Sequence, residues 1–420
     1  MLNMSPINPY QSAYTSPIKS GQDKRPNILI LVDGYLPGHK LGGPIRSVSA
    51  LVEQLSDEFD FRIITRDRDL GDTHAYANVA VDRWQDVGEA QVFYASPHTL
   101  TRGRLAAVLS LCPYDLLYCN SLFSPYLTLQ VLALRRLHLI TPSTVIVAPR
   151  GELSEGALAL KRRKKAAFLA AARTVGLYND VIWHASTEYE YADIAAQFGT
   201  DARRRPSIAI APILATRDGR LPRRRLPRKK EVGSLRAVFL SRISRKKNLD
   251  GALRILARVP GRVDFSIYGP IEDPAYWAEC QKLIAQLPPA VSVSYEGALS
   301  HQDVASVLEG SELFVLLTRG ENFGHAILEA MASGCPVLIS DQTAWRGLEA
   351  DGAGWDIPLS DERRILEALT ECVMMDDSAH SEMSRAAMEL ADAALNSSEA
   401  LNRNRMLFRS GLAGCSTEAR

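Results

Sequence analysis

Twice along this chain, short apolar runs ending in polar or glycine-bearing loops alternate with segments of helical periodicity. That alternation leaves few folds open. In the first half the runs are NILILVD (27–33), FRIIT (61–65), AQVFYA (90–95), DLLYCN (115–120), TVIVAP (144–149) and VIWHAS (181–186). They are apolar at consecutive positions, as strands buried on both faces of a parallel sheet are. Between the first two, IRSVSALVEQLSDEF sets Val48, Leu51, Val52 and Leu55 on one helical face. A second series follows: LRAVFLS (235–241), DFSIYG (264–269), VSVSYEG (291–297), LFVLLT (313–318) and PVLIS (336–340), with helices at LDGALRILARV (249–259) and HAILEAMAS (325–333). Strand–helix alternation builds parallel sheets covered on both faces. The expected fold class is α/β, with two Rossmann-like, doubly wound parallel-sheet domains.

The boundaries follow from where the pattern stops. Residues 1–25 are rich in Ser, Pro, Asn and Gln and read as a disordered tail. Residues 26–212 form the N-terminal domain. Residues 213–234, with several Pro and Arg and almost no apolar periodicity, read as a basic linker. Residues 235–377 form the C-terminal domain, and 378–420 a polar helix and tail whose return to the N-terminal domain stays open.

Composition excludes several functions. The 420 residues carry a net charge of +1, so the chain as a whole is no electrostatic nucleic-acid binder. Six scattered cysteines make no CxxC pair and no Cys/His ligand spacing, which points to a reducing compartment and away from zinc. The N-terminal 26 residues lack the apolar core of a secretory signal. No apolar run approaches the ~18 residues of a membrane span. The expected location is cytoplasmic.

The sharpest motif is RGENFGHAILEAMASGCPVLISD (319–341). Glu321 sits in a loop after a strand, and Asn322-Phe323-Gly324 leads into a helix whose free N–H groups and dipole suit a phosphate. Gly324 lets an anion approach the backbone. Glu329, eight residues after Glu321, lies just over two helical turns on and can turn to the same ligand, where paired carboxylates grip sugar or ribose hydroxyls. The segment resembles the glutamate–seven residues–glutamate signature of the retaining family-four glycosyltransferases of GT-B fold, the bacterial cell-surface polysaccharide enzymes especially. The resemblance implies that Glu321 contacts the transferred sugar and Glu329 the nucleotide ribose.

In VFLSRISRKKNLDGAL (238–253), Arg242 and Lys247 follow a strand. Two cations there can neutralise a departing diphosphate. The spacing resembles the family's Arg-x4-Lys clamp, although Ser241 stands where Gly is usual and Lys246 is an alternative register. The loop DGYLPGHKLGGPIRSV (33–48) is not a G-x-G-x-x-G fingerprint, but Gly42 and Gly43 before a helix resemble the family's glycine-rich first loop. Gly269, closing DFSIYG, joins the donor side. His325 is a donor-side candidate whose role, structural or functional, stays open.

On the acceptor side the candidates are Asn120, Arg150, Glu152 and His184. Arg150-Gly151-Glu152 stands where many family members carry a helpful His, and Arg150 and Glu152 either orient the acceptor or pair with each other. His184 ends a strand and either faces ligand or is a satisfied core histidine. Asp67-Arg68-Asp69 has the letters of a metal clamp, but it follows the wrong strand. The basic run Lys161–Lys165, sharing a helix with Leu160, Ala167, Phe168 and Ala171, and Arg203–Arg205 either dock on anionic lipid or form a solvated face.

The resemblance implies a GT-B enzyme with its domains facing across a cleft, a nucleotide-sugar donor as substrate, no cofactor and no metal. It implies transfer with retention to a saccharide or lipid-linked acceptor in polysaccharide or glycoconjugate biosynthesis. Docking of the basic run on anionic lipid, where that alternative holds, would put the chain peripherally on the inner face of the cytoplasmic membrane. A nucleotide-sugar 2-epimerase and a non-catalytic nucleotide-sugar-binding scaffold are the alternatives. Base, sugar, acceptor and linkage are not readable.

Overall fold

The computed structural model describes residues 25–140, 144–159, 161–199, 206–215 and 229–417. The tail, the Arg203–Arg205 cluster and most of the linker lie outside the described residues. The chain divides into two compact units: Met1–Thr216 with Ser398–Arg420, and Arg217–Ser397.

The first unit holds β1 (Asn27–Leu31), α1 (Gly43–Leu55), β2 (Asp60–Arg66), β3 (Trp84–Val87), β4 (Ala90–Ala95), α2 (Arg102–Leu111), β5 (Leu116–Cys119), a π-helical turn running into α3 (Gln130–Arg136), β6 (Thr144–Val147), α4 (Glu155–Ala159), α5 (Arg162–Thr174), β7 (Val181–Ala185), α6 (Glu188–Phe198) and β8 (Ser207–Ile210). Its sheet runs β3-β4-β2-β1-β5-β6-β7-β8, parallel except for β3, which is antiparallel to β4. The central strands are buried on both faces. Leu29, Leu31, Leu117 and Val147 feed one core layer; Ile28, Ile30, Tyr118 and Ile146 feed the other.

The second unit holds β9 (Ser234–Leu240), α7 (Leu249–Leu256), β10 (Arg262–Tyr268), α8 (Pro274–Ile284), β11 (Val291–Gly297), α9 (His301–Glu309), β12 (Leu313–Leu316), α10 (His325–Ala332), β13 (Val337–Ser340), β14 (Gly354–Ile357), α11 (Glu362–Met374) and α12 (Asp377–Leu395). Its sheet is parallel throughout, in the order β11-β10-β9-β12-β13-β14.

The polar tract after residue 377 is two helices rather than one. Asn396 closes α12, and α13 (Ser398–Thr417) belongs to the first unit. Phe408 explains this placement: it is fully buried against Phe59, Phe61 and Tyr118. Asn404 donates to the Pro212 carbonyl at 2.8 Å, and Arg405 and Arg409 both pair with Glu58.

Both sheets are doubly wound, so each has a point where successive connections leave in opposite directions. Ligands of such sheets bind beyond the carboxyl ends of the strands at that point. It lies between β1 and β5 in the first unit and between β9 and β12 in the second.

Candidate active site

In the second unit, the loops leaving β9 and β12 are knitted together by backbone and side-chain bonds. Arg319 N donates to the Lys246 carbonyl at 2.8 Å, and Thr318 Oγ1 to the same oxygen at 3.1 Å. The Arg319 guanidinium reaches Asn248 Oδ1 at 3.1 and 3.3 Å. Asn248 takes the left-handed conformation (φ 56°) between a 3-10 turn, Arg245–Lys247, and α7. This scaffold sets Lys247 against Glu321, and Lys247 Nζ pairs with Glu321 Oε2. The Lys247 side chain is 8% exposed and that of Glu321 22%. Burial alone pushes the Glu321 carboxyl up, but the charge and hydrogen bond of Lys247, aided by Lys246 and His325, hold it below the usual carboxylate range.

Lys247 meets Glu321, while Arg245 turns to Glu279 at 2.5 Å and lies over the Tyr276 ring. Arg242 is half-exposed and pairs with Glu272 at 2.9 Å. Both expected clamp cations thus carry carboxylate partners. Gly269 approaches the same loop so closely that a Cβ there would lie 1.9 Å from the Ser241 carbonyl oxygen, at φ 138°. Only glycine fits that approach.

Gly324 is the N-cap of α10, with φ 77°. Helix α10 forms because Ile327, Leu328, Ala330 and Met331 pack inward, and it ends at Ser333 before the left-handed Gly334. Glu329 is half-buried on α10. Phe323 packs edge-on against His325 at 4.8 Å between centroids and meets Trp345 at 5.7 Å, and Trp345 Nε1 donates to the Phe323 carbonyl at 2.6 Å. Glu321 N donates to the Gln342 carbonyl at 2.7 Å. Trp345, Thr318, Arg319 and Asn248 escaped the sequence reading. Trp345 arrives on a separate loop after β13, and only its place beyond a strand end hints at its part.

In the first unit, Arg150 and Glu152 do not pair. Arg150 (φ 56°) and Gly151 (φ 75°) are successive left-handed residues that turn the chain as it leaves β6. Arg150 Nε then donates to Asn120 Oδ1 at 2.7 Å and Nη2 to the Tyr118 hydroxyl. Glu152 faces the other way and accepts from the amides of Leu122 (2.6 Å) and Phe123 (3.1 Å) and from Ser121 Oγ. Burial pushes its carboxyl up in spite of these donors.

His184 is a core side chain, 1% exposed. Nδ1 lies 2.8 Å from the Tyr118 hydroxyl and Nε2 2.7 Å from the Ala211 carbonyl. The carbonyl accepts, so Nε2 carries the proton and Nδ1 takes that of Tyr118. Burial, helped by the charge of Arg150, lowers the His184 pKa to about 3. It shares the Tyr118 hydroxyl with Arg150.

Gly42 is the N-cap of α1 at φ 63°, and Gly43 is the first helical residue. The loop before them is held by Asp69, which accepts from the amides of His39 (2.7 Å), Lys40 (3.0 Å) and Leu70 (2.8 Å). Asp67 pairs with Arg68 at 2.7 Å. Both carboxylates have structural work that the sequence did not reveal. Among the described residues, no three His, Cys, Asp or Glu side chains gather as a metal site.

The helix expected to carry Lys161–Lys165 starts only at Arg162, because Lys161 takes the left-handed conformation (φ 59°) between α4 and α5. Lys161, Arg162, Arg163 and Lys164 are exposed. Lys165 instead donates to the Ala157 carbonyl at 2.7 Å and lies over the Phe123 ring, which also takes Phe168 edge-on. A cavity of about 430 Å³ between α4, α5 and α6 is lined by Leu158, Leu169, Arg162, Lys165 and Asp193 among others. No helix among the described residues is long and apolar enough to cross a membrane.

Two parallel, doubly wound sheets, each with its polar loops at the strand ends, make this a GT-B fold. The chain has a TM-score of 0.67 with sucrose-phosphate synthase from Thermosynechococcus elongatus, at 17% identity over 93% of this chain and 100% of that one. With Anabaena HepE, solved in complex with UDP and glucose, the TM-score is 0.64, at 14% identity over 92% of this chain and 99% of that one. Residues 224–389 match the family described as glycosyl transferases group 1. A GDP-mannose-dependent alpha-mannosyltransferase of Corynebacterium glutamicum is 32% identical over 152 residues, which is 36% of this chain and 34% of that protein. The chain thus matches about a third of that relative's length.

Proposed function

We propose that this chain is a glycosyltransferase that takes a sugar from a nucleotide-diphosphate donor and passes it, with retention, to a saccharide or lipid-linked acceptor. The observation that supports this best is the Lys247–Glu321 pair at the reversal point of the second sheet, beside the N-terminus of α10.

On this reading the diphosphate takes the place of carboxylates on Lys247 and Arg242, and the amides at the start of α10 share its charge. Glu321, released from Lys247, turns to the hydroxyls of the transferred sugar, and Glu329 to the ribose. Phe323 and Trp345 close one side of the site. The bond between the anomeric carbon and the phosphate oxygen breaks, and its electron pair leaves with the nucleoside diphosphate. The acceptor hydroxyl oxygen bonds to the anomeric carbon on the same face and its proton passes to the departing phosphate oxygen. Lys247 and Arg242 supply the charge stabilisation, so transfer is expected to survive excess EDTA. The acceptor side falls to the strand ends of the first unit.

The four exposed basic residues at the start of α5 also support loose contact with an anionic membrane, worth about 1 kcal/mol per residue near the surface. Lys165, turned inward, takes no part.

The test is incubation with UDP- and GDP-linked hexoses, with and without extracted lipid acceptors. Acceptor-dependent release of nucleoside diphosphate is expected. A new sugar isomer without acceptor, or nucleotide binding with no turnover under any condition, contradicts the proposal.

A further inference from the structure

We propose that Arg150 and Asn120 form a receptor for an oxyanion, a carboxylate or a phosphate, carried by the acceptor. The inference rests on the transferase reading and adds the acceptor's charge to it.

Asn120 follows β5 and Arg150 follows β6, so both stand at the strand ends beside the reversal point between β1 and β5. Two of the guanidinium nitrogens are tied to neutral oxygens, Nε to Asn120 Oδ1 and Nη2 to the Tyr118 hydroxyl. The third, Nη1, is buried without a hydrogen-bond partner. Asn120 is 3% exposed, and its Nδ2, on the amide whose oxygen holds Arg150, is also buried without a partner. The guanidinium and the carboxamide that it bonds to therefore each keep one unused donor. Buried donors left unmatched are costly, and a cationic one most of all.

The nearby carboxylates do not neutralise Arg150. Asp33, at the end of β1, accepts from Ser124 Oγ at 2.8 Å. Glu152 is held by the 121–123 loop. Glu190 accepts from Gly151 N at 2.6 Å and from Ser186 N and Oγ at 2.8 and 2.6 Å. Among the described residues, none of them lies within ion-pair distance of Arg150.

The guanidinium is also aimed. The Ala211 carbonyl fixes His184, Nδ1 of His184 takes the Tyr118 proton, and the Tyr118 oxygen is thereby turned to accept from Arg150. Tyr118 and His184 are positioning residues. Two planar donors, one charged, suit a carboxylate or phosphate and not a neutral hydroxyl.

The test uses the full chain with saturating UDP or GDP, whichever raises its melting temperature, so that the donor side is filled. Methyl glucuronide, glucose 1-phosphate and neutral methyl glucoside are then added at constant ionic strength, and the further rise is read. One of the two anions is expected to stabilise the protein beyond the glucoside, and which one does separates carboxylate from phosphate. Asn120→Asp supplies a carboxylate beside Arg150. It should abolish the anion response, keep the nucleotide response and leave the fold at least as stable. Arg150→Lys should weaken the anion at least about tenfold. If neither anion exceeds the glucoside, or if Asn120→Asp still responds, the proposal is overturned. If no nucleotide stabilises the wild type, the transferase reading itself fails, and the anion arms are then read without nucleotide.

Discussion

The two strand edges handle positive charge in opposite ways. In the second unit Lys247, Arg242 and Arg245 each lie on a carboxylate: Glu321, Glu272 and Glu279. In the first unit Arg150 lies only on the neutral oxygens of Asn120 and Tyr118. A paired cation costs less to hold buried than an unpaired one, and it gives its charge up only to a ligand that outcompetes the carboxylate, as a diphosphate does. An unpaired one is expensive to hold and keeps its charge on offer to a weaker anion. The contrast predicts that charge-neutralising substitutions have different consequences at the two edges.

The largest effect is expected at Glu321. Glu321→Gln should lower turnover by about two to three orders of magnitude, as loss of a preorganised contact does. It also leaves Lys247 uncompensated, at a cost of about 1–3 kcal/mol for a partly buried pair. Adding Lys247→Met should restore stability and not turnover, as denaturation midpoints beside rates will show. Recovery of turnover in the double variant would break the comparison.

Next come the glycines of the second edge. Gly269→Ala drives a Cβ into the Ser241 backbone, and about 3 kcal/mol of stability should go. Gly324→Ala meets Ile327 Cδ1, the far end of a side chain, at 2.6 Å, and should cost less. Equal costs would show that the β9–β10 approach is not rigid.

The acid sensitivity of the first edge sets in at higher pH than that of the second, where it rests on the depressed carboxyl of Glu321. His184 has a folded pKa of about 3 against an ordinary value of 6.5. Below pH 6.5 the unfolded chain takes a proton that the folded chain refuses, so stability falls as pH falls from 6.5 toward 3. Between pH 7 and pH 5, His184→Gln should lose about 1–2 kcal/mol less than wild type in chemical denaturation.

The smallest effect belongs to Glu272. Its pair with Arg242 is exposed on both sides, so Glu272→Gln should tighten nucleoside diphosphate binding by under about 1 kcal/mol in a titration.

Much of this frame was legible because buried parallel strands must be apolar at consecutive positions, as β1, β2, β4, β5 and β9 are. Strands β3, β8 and β14 were not. They are four residues each and stand at or beside sheet edges, where WQDV, SIAI and GWDI need no continuous apolar run. The loop from Glu321 into α10 was legible from its glycine and its carboxylate spacing. Whether Arg150 and Glu152 pair was not legible, because nothing in the sequence marks the two successive left-handed residues, Arg150 and Gly151, that turn the chain there. The break at Lys161 was hidden in the same way, since a single left-handed lysine leaves no mark on helical periodicity.

The central claim is that Lys247 and Arg242 exchange their carboxylates for a diphosphate. Calorimetric titration of UDP against UMP, and of GDP against GMP, tests it most directly in wild type and in the Arg242→Ala, Lys247→Ala double variant. Wild type should prefer one diphosphate to its monophosphate by at least about tenfold, the worth of one charge-assisted contact, and the preference should vanish in the double variant. Equal binding of di- and monophosphates by wild type, or an undiminished preference in the double variant, would contradict the account.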